Sequence, residues 1–206
     1  MYPILFKFGP FTIYTYGLMV AIGCLVGFFY IRREAKRTAL NLEKIMSLFL
    51  WVLISSFVGG RILYILVEWK YFLNEPLRAI FARGGFVFYG GFILAFAVAI
   101  WQSRRMGLNF WKTADIFVPA VAVAYAIGRI GCFLNGCCYG RPTDSWLGVS
   151  FHPDSLAGSL GKPLLPTQLF SSLTLFAIFA ILIKVKQYKK FDGQLFWLYV
   201  LLYGVT

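Results

Sequence analysis

The chain has 206 residues, of which 60% are hydrophobic and 14% are charged, and its apolar residues form long blocks that a soluble core of this size could not bury. The formal net charge is +12, but the basic residues cluster between the apolar blocks, where they orient membrane helices and meet anionic headgroups. These features exclude an ordinary soluble protein and argue against a nucleic-acid partner.

Five apolar segments are long enough, at about 1.5 Å of rise per residue, to cross a hydrocarbon layer of roughly 30 Å. The first follows an N-terminus without the basic region and cleavage site of a signal peptide, so we expect it to remain in the protein. A sixth segment, 193–206, is shorter than the roughly 20 residues that a spanning helix needs, and looks cut off. The sequence predicts an all-α transmembrane helix bundle formed by a single integral membrane domain over residues 1–206. The predicted spans are 11–31, 45–67, 84–101, 115–134 and 164–183.

Basic residues are distributed unequally between the two sides of these spans. The segments after the first, third and fifth spans contain twice as many Lys and Arg residues as the segments on the other side. Because basic flanks are retained in the cytoplasm, the N-terminus is predicted to lie outside. Residues 139–165, rich in Gly, Pro, Ser and Asp, are then an external loop that contains too many turn formers for a helix.

Two arginines lie inside predicted spans, Arg61 in the second and Arg129 in the fourth. An arginine at mid-helix costs about 2.5 to 3.5 kcal/mol on insertion scales, so it usually faces the bundle interior or water and has a function. The predicted orientation places both side chains roughly 8 to 9 Å below the outer ends of their helices. Arg61 could instead extend its side chain to the headgroups.

Tyrosines at a similar predicted depth are either interfacial anchors or parts of a site. Tyr16 and Tyr89 lie about one turn into spans that enter from outside. Tyr64 follows Arg61 at the i, i+3 spacing and shares its helix face. Because tyrosines are common at membrane interfaces, the functional interpretation depends on the two arginines lying in one layer.

The cysteines do not form a recognisable metal motif. Cys24, Cys132, Cys137 and Cys138 lack the paired spacing and histidine partners of a zinc site, and His152 is the only histidine. We therefore expect no metal. Cys137 and Cys138 are interpreted as small apolar fillers or as partners in an external disulfide.

Residues 128–144, GRIGCFLNGCCYGRPTD, resemble the signature of the prolipoprotein diacylglyceryl transferase family. Other segments resemble the same family in the same order, so that the similarity covers essentially the whole chain. These segments are YGLM at 16–19, GGRILY at 59–64, RGGFVFYGG at 83–91, PTQLF at 166–170 and LLYG at 201–204.

The resemblance implies an enzyme of the bacterial cytoplasmic (inner) membrane, with seven spans when complete and an active site facing the outer leaflet. Such an enzyme transfers diacylglyceryl from phosphatidylglycerol to the lipobox cysteine of a prelipoprotein and releases glycerol phosphate. The implied partners are phosphatidylglycerol, prelipoprotein signal peptides and membrane lipids, and neither a metal nor an organic cofactor is expected. The alternatives are an anion channel or transporter, since arginines also line permeation paths, or an inactive lipid-binding relative.

The matched positions imply a set of site residues. The expected catalytic residues are Tyr16, Tyr89, Arg129, Asn135 and Gly140. The expected phosphatidylglycerol-binding residues are Arg129, Arg61, Tyr64 and Tyr203. Arg129 is expected to hold the phosphate through paired, charge-assisted hydrogen bonds and to stabilise the leaving group. Arg61 either assists or orders the packing of its span.

The sequence also departs from the family pattern. Many members have a histidine, thought to be the base, at the position of Tyr89, whereas only around one in a thousand free tyrosines is ionised at pH 7. We therefore expect Tyr89 to act as a hydrogen-bonding group. Cys132, Cys137 and Tyr14 stand where many relatives have Asn, Glu and His, so those roles are not transferred. The family normally continues beyond Tyr203 with an arginine and the rest of a last helix, so we expect a fragment or a weakened site.

Overall fold

The computed structural model describes residues 4–8, 11–38, 40–81, 85–153 and 155–206. The chain is mostly helical, and it divides into two compact units, one formed by residues 1–34 and 114–206 and the other by residues 35–113. The elements are β1 (Ile4–Phe8), β2 (Phe11–Tyr14), α1 (Thr15–Arg37), α2 (Leu42–Val67), α3 (Trp69–Asn74), α4 (Pro76–Phe81), α5 (Phe88–Arg105), α6 (Phe110–Asn135), α7 (Thr167–Val185) and α8 (Gln194–Gly204).

Four helices within the described residues are long and apolar enough to cross a membrane. They are Thr15–Arg37, Leu42–Val67, Phe110–Asn135 and Thr167–Tyr188, the last of which joins α7 to a 3-10 turn. The protein is therefore a helical membrane protein. The remaining predicted span corresponds to α5, whose last turn carries Arg104 and Arg105 and so shortens its apolar part. Its predicted start, at residue 84, lies outside the described residues.

The predicted start of the first span is wrong. Phe11–Tyr14 form a strand that pairs antiparallel with Ile4–Phe8, and the helix begins only at Thr15. The sequence FTIY is β-branched or aromatic throughout, and such residues favour strands. The all-α prediction therefore missed one two-stranded sheet, while the helix itself extends beyond its predicted end to Arg37.

In the unit of residues 35–113, glycines bring α2 and α5 into backbone contact. Gly59 and Gly90 face each other so closely that a Cβ on either would overlap the carbonyl oxygen of the other. A Cβ on Gly91 would lie only 2.6 Å from the carbonyl oxygen of Ser56. Without a hydrophobic force between helices in lipid, close van der Waals contact of this kind is a main source of helix association.

In the other unit, α6 packs against α1 and against α7 and α8. Gly23 of α1 lies on the backbone of Ala124, where a Cβ would be 2.8 Å from the carbonyl oxygen. The Ser172 hydroxyl donates to the carbonyl oxygen of Ala126 at 2.9 Å and so joins α7 to α6. The apolar core between the three later helices consists of Val118, Ala122, Ile178, Leu182 and Leu195.

A buried carboxylate fixes the start of α8. Asp115 accepts hydrogen bonds from the backbone N–H groups of Gly193, at 2.8 Å, and Phe196, at 3.0 Å. It also pairs with the ammonium group of Lys189 at 2.9 Å. These partners satisfy a charge that is 4% exposed and cap the N-terminus of the helix. The last turn of α8 then carries Tyr203.

Candidate functional site

Arg129, in the penultimate turn of α6, has a buried donor without a partner among the described residues. Its Nη2 donates to the Ser171 hydroxyl of α7 at 3.4 Å, close to the longest distance of a hydrogen bond. Its Nε is buried and has no hydrogen-bond partner in the part of the chain that the structure describes. A guanidinium presents its donors in a planar fork that matches the oxygens of phosphate. Arg129 is therefore prepared to bind an anionic ligand.

Tyr16, in the first turn of α1, belongs to the neighbourhood of Arg129. Its ring lies beside Gly131, where a Cβ would be 3.5 Å from Cδ2 of Tyr16 and 2.8 Å from Cβ of Met19. Tyr16 is close enough to interact electrostatically with Arg129 and with the thiol of Cys132. The glycine thus permits the start of α1 to approach the end of α6.

Three tyrosines connect the end of α8 with α6. The rings of Tyr199 and Tyr203 stack with centroids 5.8 Å apart, and Tyr203 lies 6.2 Å from the ring of Tyr125. Tyr125 and Tyr203 are also joined by a side-chain hydrogen bond. Tyr125 precedes Arg129 by four residues and interacts with its charge. Tyr203 is therefore brought towards Arg129 through Tyr125.

The end of α6 folds back on itself in a Schellman motif. Gly136 has φ +69°, and its N–H donates to the carbonyl oxygen of Phe133 while the N–H of Cys137 donates to that of Cys132, both at 3.1 Å. This pair of bonds, with a left-handed glycine after the last helical residue, is a common helix ending. It brings Cys137 back towards Cys132, five residues earlier. The pair Asn135–Gly136 is the sequence signal from which this could have been predicted.

The chain after this turn is held by the start of α7. The Gln168 amide donates to the carbonyl oxygen of Cys137 at 2.7 Å, and the Thr167 hydroxyl donates to that of Cys138 at 3.2 Å. The N–H of Gly140 donates to the carbonyl oxygen of Leu165 at 3.0 Å. A Cβ at Gly140 would be 2.9 Å from that same oxygen, so only glycine fits there without displacing the chain.

Three thiols meet beside this turn. The sulfur atoms of Cys132, Cys137 and Cys138 all lie within 4.8 Å of one another. Hydrogen bonds that the Cys137 thiolate accepts from the side chains of Cys132, Asn135 and Cys138 outweigh the effect of burial and lower the pKa of Cys137 to about 5, and the charge of Arg129 acts in the same direction. Burial and the charge of Cys137 raise the pKa of Cys138. The interpretation of Cys137 and Cys138 as small apolar fillers or partners in an external disulfide did not predict their cluster with Cys132.

Arg61, in the unit of residues 35–113, donates hydrogen bonds to backbone carbonyl groups of the same unit. Its Nε donates to the carbonyl oxygen of Ile80 at 3.1 Å and its Nη1 to that of Gly85 at 2.8 Å. The guanidinium carbon also lies 5.2 Å from the ring centroid of Tyr64 and 5.4 Å from that of Phe86, within the range of cation–π attraction. Arg61 therefore joins α2 to α4, through Ile80, and to Gly85 shortly before α5. Of the two predicted roles, these contacts favour packing.

The predicted site residues divide between the two units. The unit that contains α6 holds Tyr16, Arg129, Asn135, Gly140 and Tyr203, and the unit that contains α2 and α5 holds Arg61, Tyr64 and Tyr89. Tyr89 lies in the first turn of α5 with 69% of its surface exposed and its ring against Phe88. The common layer of the two arginines remains a prediction.

Comparison with known proteins identifies the family. The family model of prolipoprotein diacylglyceryl transferase matches residues 3–206. A phosphatidylglycerol–prolipoprotein diacylglyceryl transferase of Clostridium tetani is 35% identical over 206 residues, which cover 100% of this chain and 82% of that protein. Relatives with the same enzyme name from Clostridium perfringens and Bacillus velezensis are 37% and 33% identical, and the matches cover 94% and 98% of this chain and 75% and 77% of those proteins. The chain belongs to the prolipoprotein diacylglyceryl transferase family.

Proposed function

We propose that the protein transfers the diacylglyceryl group of phosphatidylglycerol to the lipobox cysteine of prelipoprotein signal peptides. The observation that supports this most directly is the state of Arg129, whose buried Nε lacks a partner within the described residues. Arg129 also stands in the segment GRIGCFLNGCCYGRPTD that resembles the family signature. The relatives that carry this enzyme name match nearly the whole chain.

The reaction places new negative charge where Arg129 would bind. The thiolate sulfur of the peptide attacks the terminal glycerol carbon of the diacylglyceryl group, a carbon–sulfur bond forms, and the bond from that carbon to the phosphate oxygen breaks. Glycerol phosphate leaves with both bonding electrons, so the phosphodiester with one charge becomes a monoester with two. Since a cation that gains attraction as this charge develops lowers the barrier, Arg129 would stabilise the transition state more than the bound lipid.

The site residues of the same unit would shape the pocket around this group, and Tyr89, in the other unit, is considered by itself. Tyr16 offers a hydroxyl from the start of α1, beside Gly131. Asn135 ends α6 directly before the turn, Gly140 holds the chain after it through Leu165, and Tyr203 reaches the same region through Tyr125. Tyr89 would serve as a hydrogen-bonding group rather than a base, because an ordinary tyrosine is almost wholly protonated at pH 7.

The same proposal includes the orientation of the protein in the cytoplasmic membrane. The unequal distribution of Lys and Arg supports an N-terminus outside and residues 139–165 on the external side. In that orientation, the C-terminal end of α6 and the Arg129 side chain face the outer leaflet, where lipobox cysteines emerge. Labelling of Cys138 in intact cells by a membrane-impermeant thiol reagent tests this, because labelling only after the membrane is opened would contradict it.

The test of the reaction uses the full chain in vesicles with phosphatidylglycerol and a lipobox peptide. We expect the peptide mass to increase by one diacylglyceryl group while glycerol phosphate is released in equal amount. Vesicles of zwitterionic phosphatidylethanolamine are the lipid control, and a peptide with the lipobox Cys→Ser substitution is the acceptor control. An unmodified peptide with phosphatidylglycerol, or equal transfer from both lipids, would contradict the proposal.

A further inference from the structure

The three thiols at the end of α6 have the spacing of metal ligands. The sulfur atoms of Cys132, Cys137 and Cys138 lie within 4.8 Å of one another. Zinc–sulfur bonds of about 2.3 Å in a tetrahedron place the sulfurs roughly 3.8 Å apart. The thiols would therefore need to approach by no more than about 1 Å, which a rotation of side chains can provide.

The backbone that carries these thiols is already held in place. The Schellman turn fixes Cys137 relative to Cys132, and Gln168 and Thr167 bind the carbonyl groups of Cys137 and Cys138 from the start of α7. Gln168 is fully buried, which restricts its own movement. Ligands that are positioned before binding lose less conformational freedom when the ion arrives.

Cys138 adopts a backbone conformation that its residue type does not favour. Its φ of +59° makes it a non-glycine residue in the left-handed region. Such conformations cost of order 1 kcal/mol or more and persist where the surrounding structure enforces them, often at functional sites. The consequence here is that the thiols of two adjacent residues both reach Cys132.

We propose that Cys132, Cys137 and Cys138 form a site for a single thiophilic divalent cation of the zinc class, bound by three thiolates. Thiolate ligands select zinc and similar soft ions, whereas magnesium and calcium require oxygen ligands. Three protein ligands leave the fourth tetrahedral position free for water or an external ligand. Cys132 is buried and Cys138 is exposed, so an ion would enter from the side of Cys138.

The positive charge of Arg129 near the three thiols favours a divalent ion bound by three thiolates. A divalent ion with three thiolates has a net charge of −1, and the guanidinium of Arg129 acts electrostatically on both Cys137 and Cys138. A cation beside an anionic metal centre offsets the cost of holding that charge away from water. The same thiols without a metal could be oxidised to a disulfide, which makes reduction of the protein a necessary first step of the test.

The test is metal titration of the reduced full-length chain in detergent. Co²⁺ is the spectroscopic probe, and we expect one equivalent to bind with the charge-transfer absorption of cobalt–thiolate bonds, which Zn²⁺ then removes. The variants C132S, C137S and C138S should each weaken binding by at least about tenfold, since each removes one of three ligands. C24S is the matched control, because Cys24 lies in α1 outside the cluster, and should bind like the unmodified chain.

A second measurement does not depend on how well the variants fold. Alkylation of the unmodified chain, followed residue by residue by mass spectrometry, should be slowed by Zn²⁺ at Cys137 and Cys138 and unchanged at Cys24. A reduced chain without cobalt–thiolate absorption, or equal binding by a variant with all three serines, would overturn the site. Both readouts are independent of diacylglyceryl transfer, so this inference and the proposed function succeed or fail separately.

Discussion

Arg61 and Arg129 both interrupt an apolar membrane helix, yet their side chains end in different surroundings. Arg61 donates two hydrogen bonds, of 3.1 Å to the carbonyl oxygen of Ile80 in α4 and of 2.8 Å to that of Gly85 before α5, and it lies against two aromatic rings. Arg129 makes one hydrogen bond of 3.4 Å to a serine, and its Nε has no partner among the described residues. The protein thus accepts the hydrogen bonds of Arg61 at short distance, whereas the Nε of Arg129 is left without an acceptor in the described part of the chain.

This difference shows that an arginine in a membrane helix is not by itself a substrate-binding residue. The cost of placing a guanidinium in lipid is reduced when backbone carbonyls and aromatic rings receive its donors, as they do at Arg61. Where a buried donor lacks a partner among the described residues, as the Nε of Arg129 does, an anionic headgroup would supply the missing stabilisation under the proposed function. We therefore expect the two residues to respond differently to substitution, one in activity and the other in stability.

The largest effect is expected from Arg129→Ala. Removing a group that stabilises developing charge typically lowers turnover by about a hundredfold to a thousandfold. Because the hydrogen bond that Arg129 donates within the described residues is long, at 3.4 Å, the midpoint of thermal unfolding in detergent should change little. Arg129→Lys keeps the charge without the planar fork of donors, so its turnover should lie between that of Arg129→Ala and that of the unmodified chain.

The control for this experiment is Arg105→Ala, which removes an arginine from the last turn of α5. Its turnover, measured with phosphatidylglycerol and a lipobox peptide, should stay close to that of the unmodified chain. If Arg129→Ala unfolded at a clearly lower temperature and lost turnover only because less protein was folded, Arg129 would be a packing residue like Arg61.

The next effect is expected from Arg61→Ala, on stability. The substitution leaves the carbonyl oxygens of Ile80 and Gly85 without their donor and removes the cation from the rings of Tyr64 and Phe86. Lost hydrogen bonds to a charged donor suggest a cost of about 2 to 4 kcal/mol. Thermal unfolding should therefore occur at lower temperature, while turnover per folded molecule stays within about threefold. A hundredfold loss of turnover in fully folded protein would return Arg61 to the substrate-binding residues.

Long apolar helices were the part of this fold that the sequence predicted well. The predicted spans 45–67, 115–134 and 164–183 correspond to Leu42–Val67, Phe110–Asn135 and Thr167–Val185. Apolar length decides such elements, because every backbone polar group in lipid must be satisfied within its own helix. The strand Phe11–Tyr14 was missed because it directly precedes a long apolar helix. In a short apolar run, hydrophobic periodicity cannot distinguish a strand from the start of that helix.

The candidate site was predicted less completely, for reasons that differ between its residues. The family signature located Arg129, but the difference between the two arginines depends on hydrogen bonds from Arg61 to residues 19 and 24 positions away in the chain. No local pattern encodes such contacts. The approach of Cys137 to Cys132 was predictable in principle, since Asn135–Gly136 at the end of an apolar helix is a typical helix ending.

A smaller effect should follow from the glycines that join α2 to α5, in the unit that Arg61 stabilises. The Cβ of Gly90→Ala would overlap the Gly59 carbonyl oxygen and the Leu63 side chain, so the helices must separate. Overpacking of this kind costs about 1 to 3 kcal/mol. Gly60→Ala is the matched control, because its Cβ would meet its nearest atoms at 3.4 Å, an ordinary contact. Equal unfolding temperatures for the two variants would contradict the close approach of these helices.

The smallest expected effect is on the pH dependence of cysteine alkylation, which responds to the charge of Arg129 rather than to its hydrogen bonds. Because the pKa of Cys137 is lowered to about 5, its thiolate is already formed at pH 6.5, and its alkylation rate with a metal chelator present should change less than about twofold up to pH 8.5. The pKa of Cys138 is raised, so its rate of alkylation should increase about tenfold for each pH unit over the same range.

Arg129→Gln should move the pH dependence of Cys137 alkylation to higher pH, since the guanidinium favours the thiolate, whereas Arg61→Gln should leave it unchanged. A Cys137 rate that rises with pH as steeply as that of Cys138, measured by mass spectrometry of the two alkylated peptides, would show that the thiols do not interact as the structure indicates.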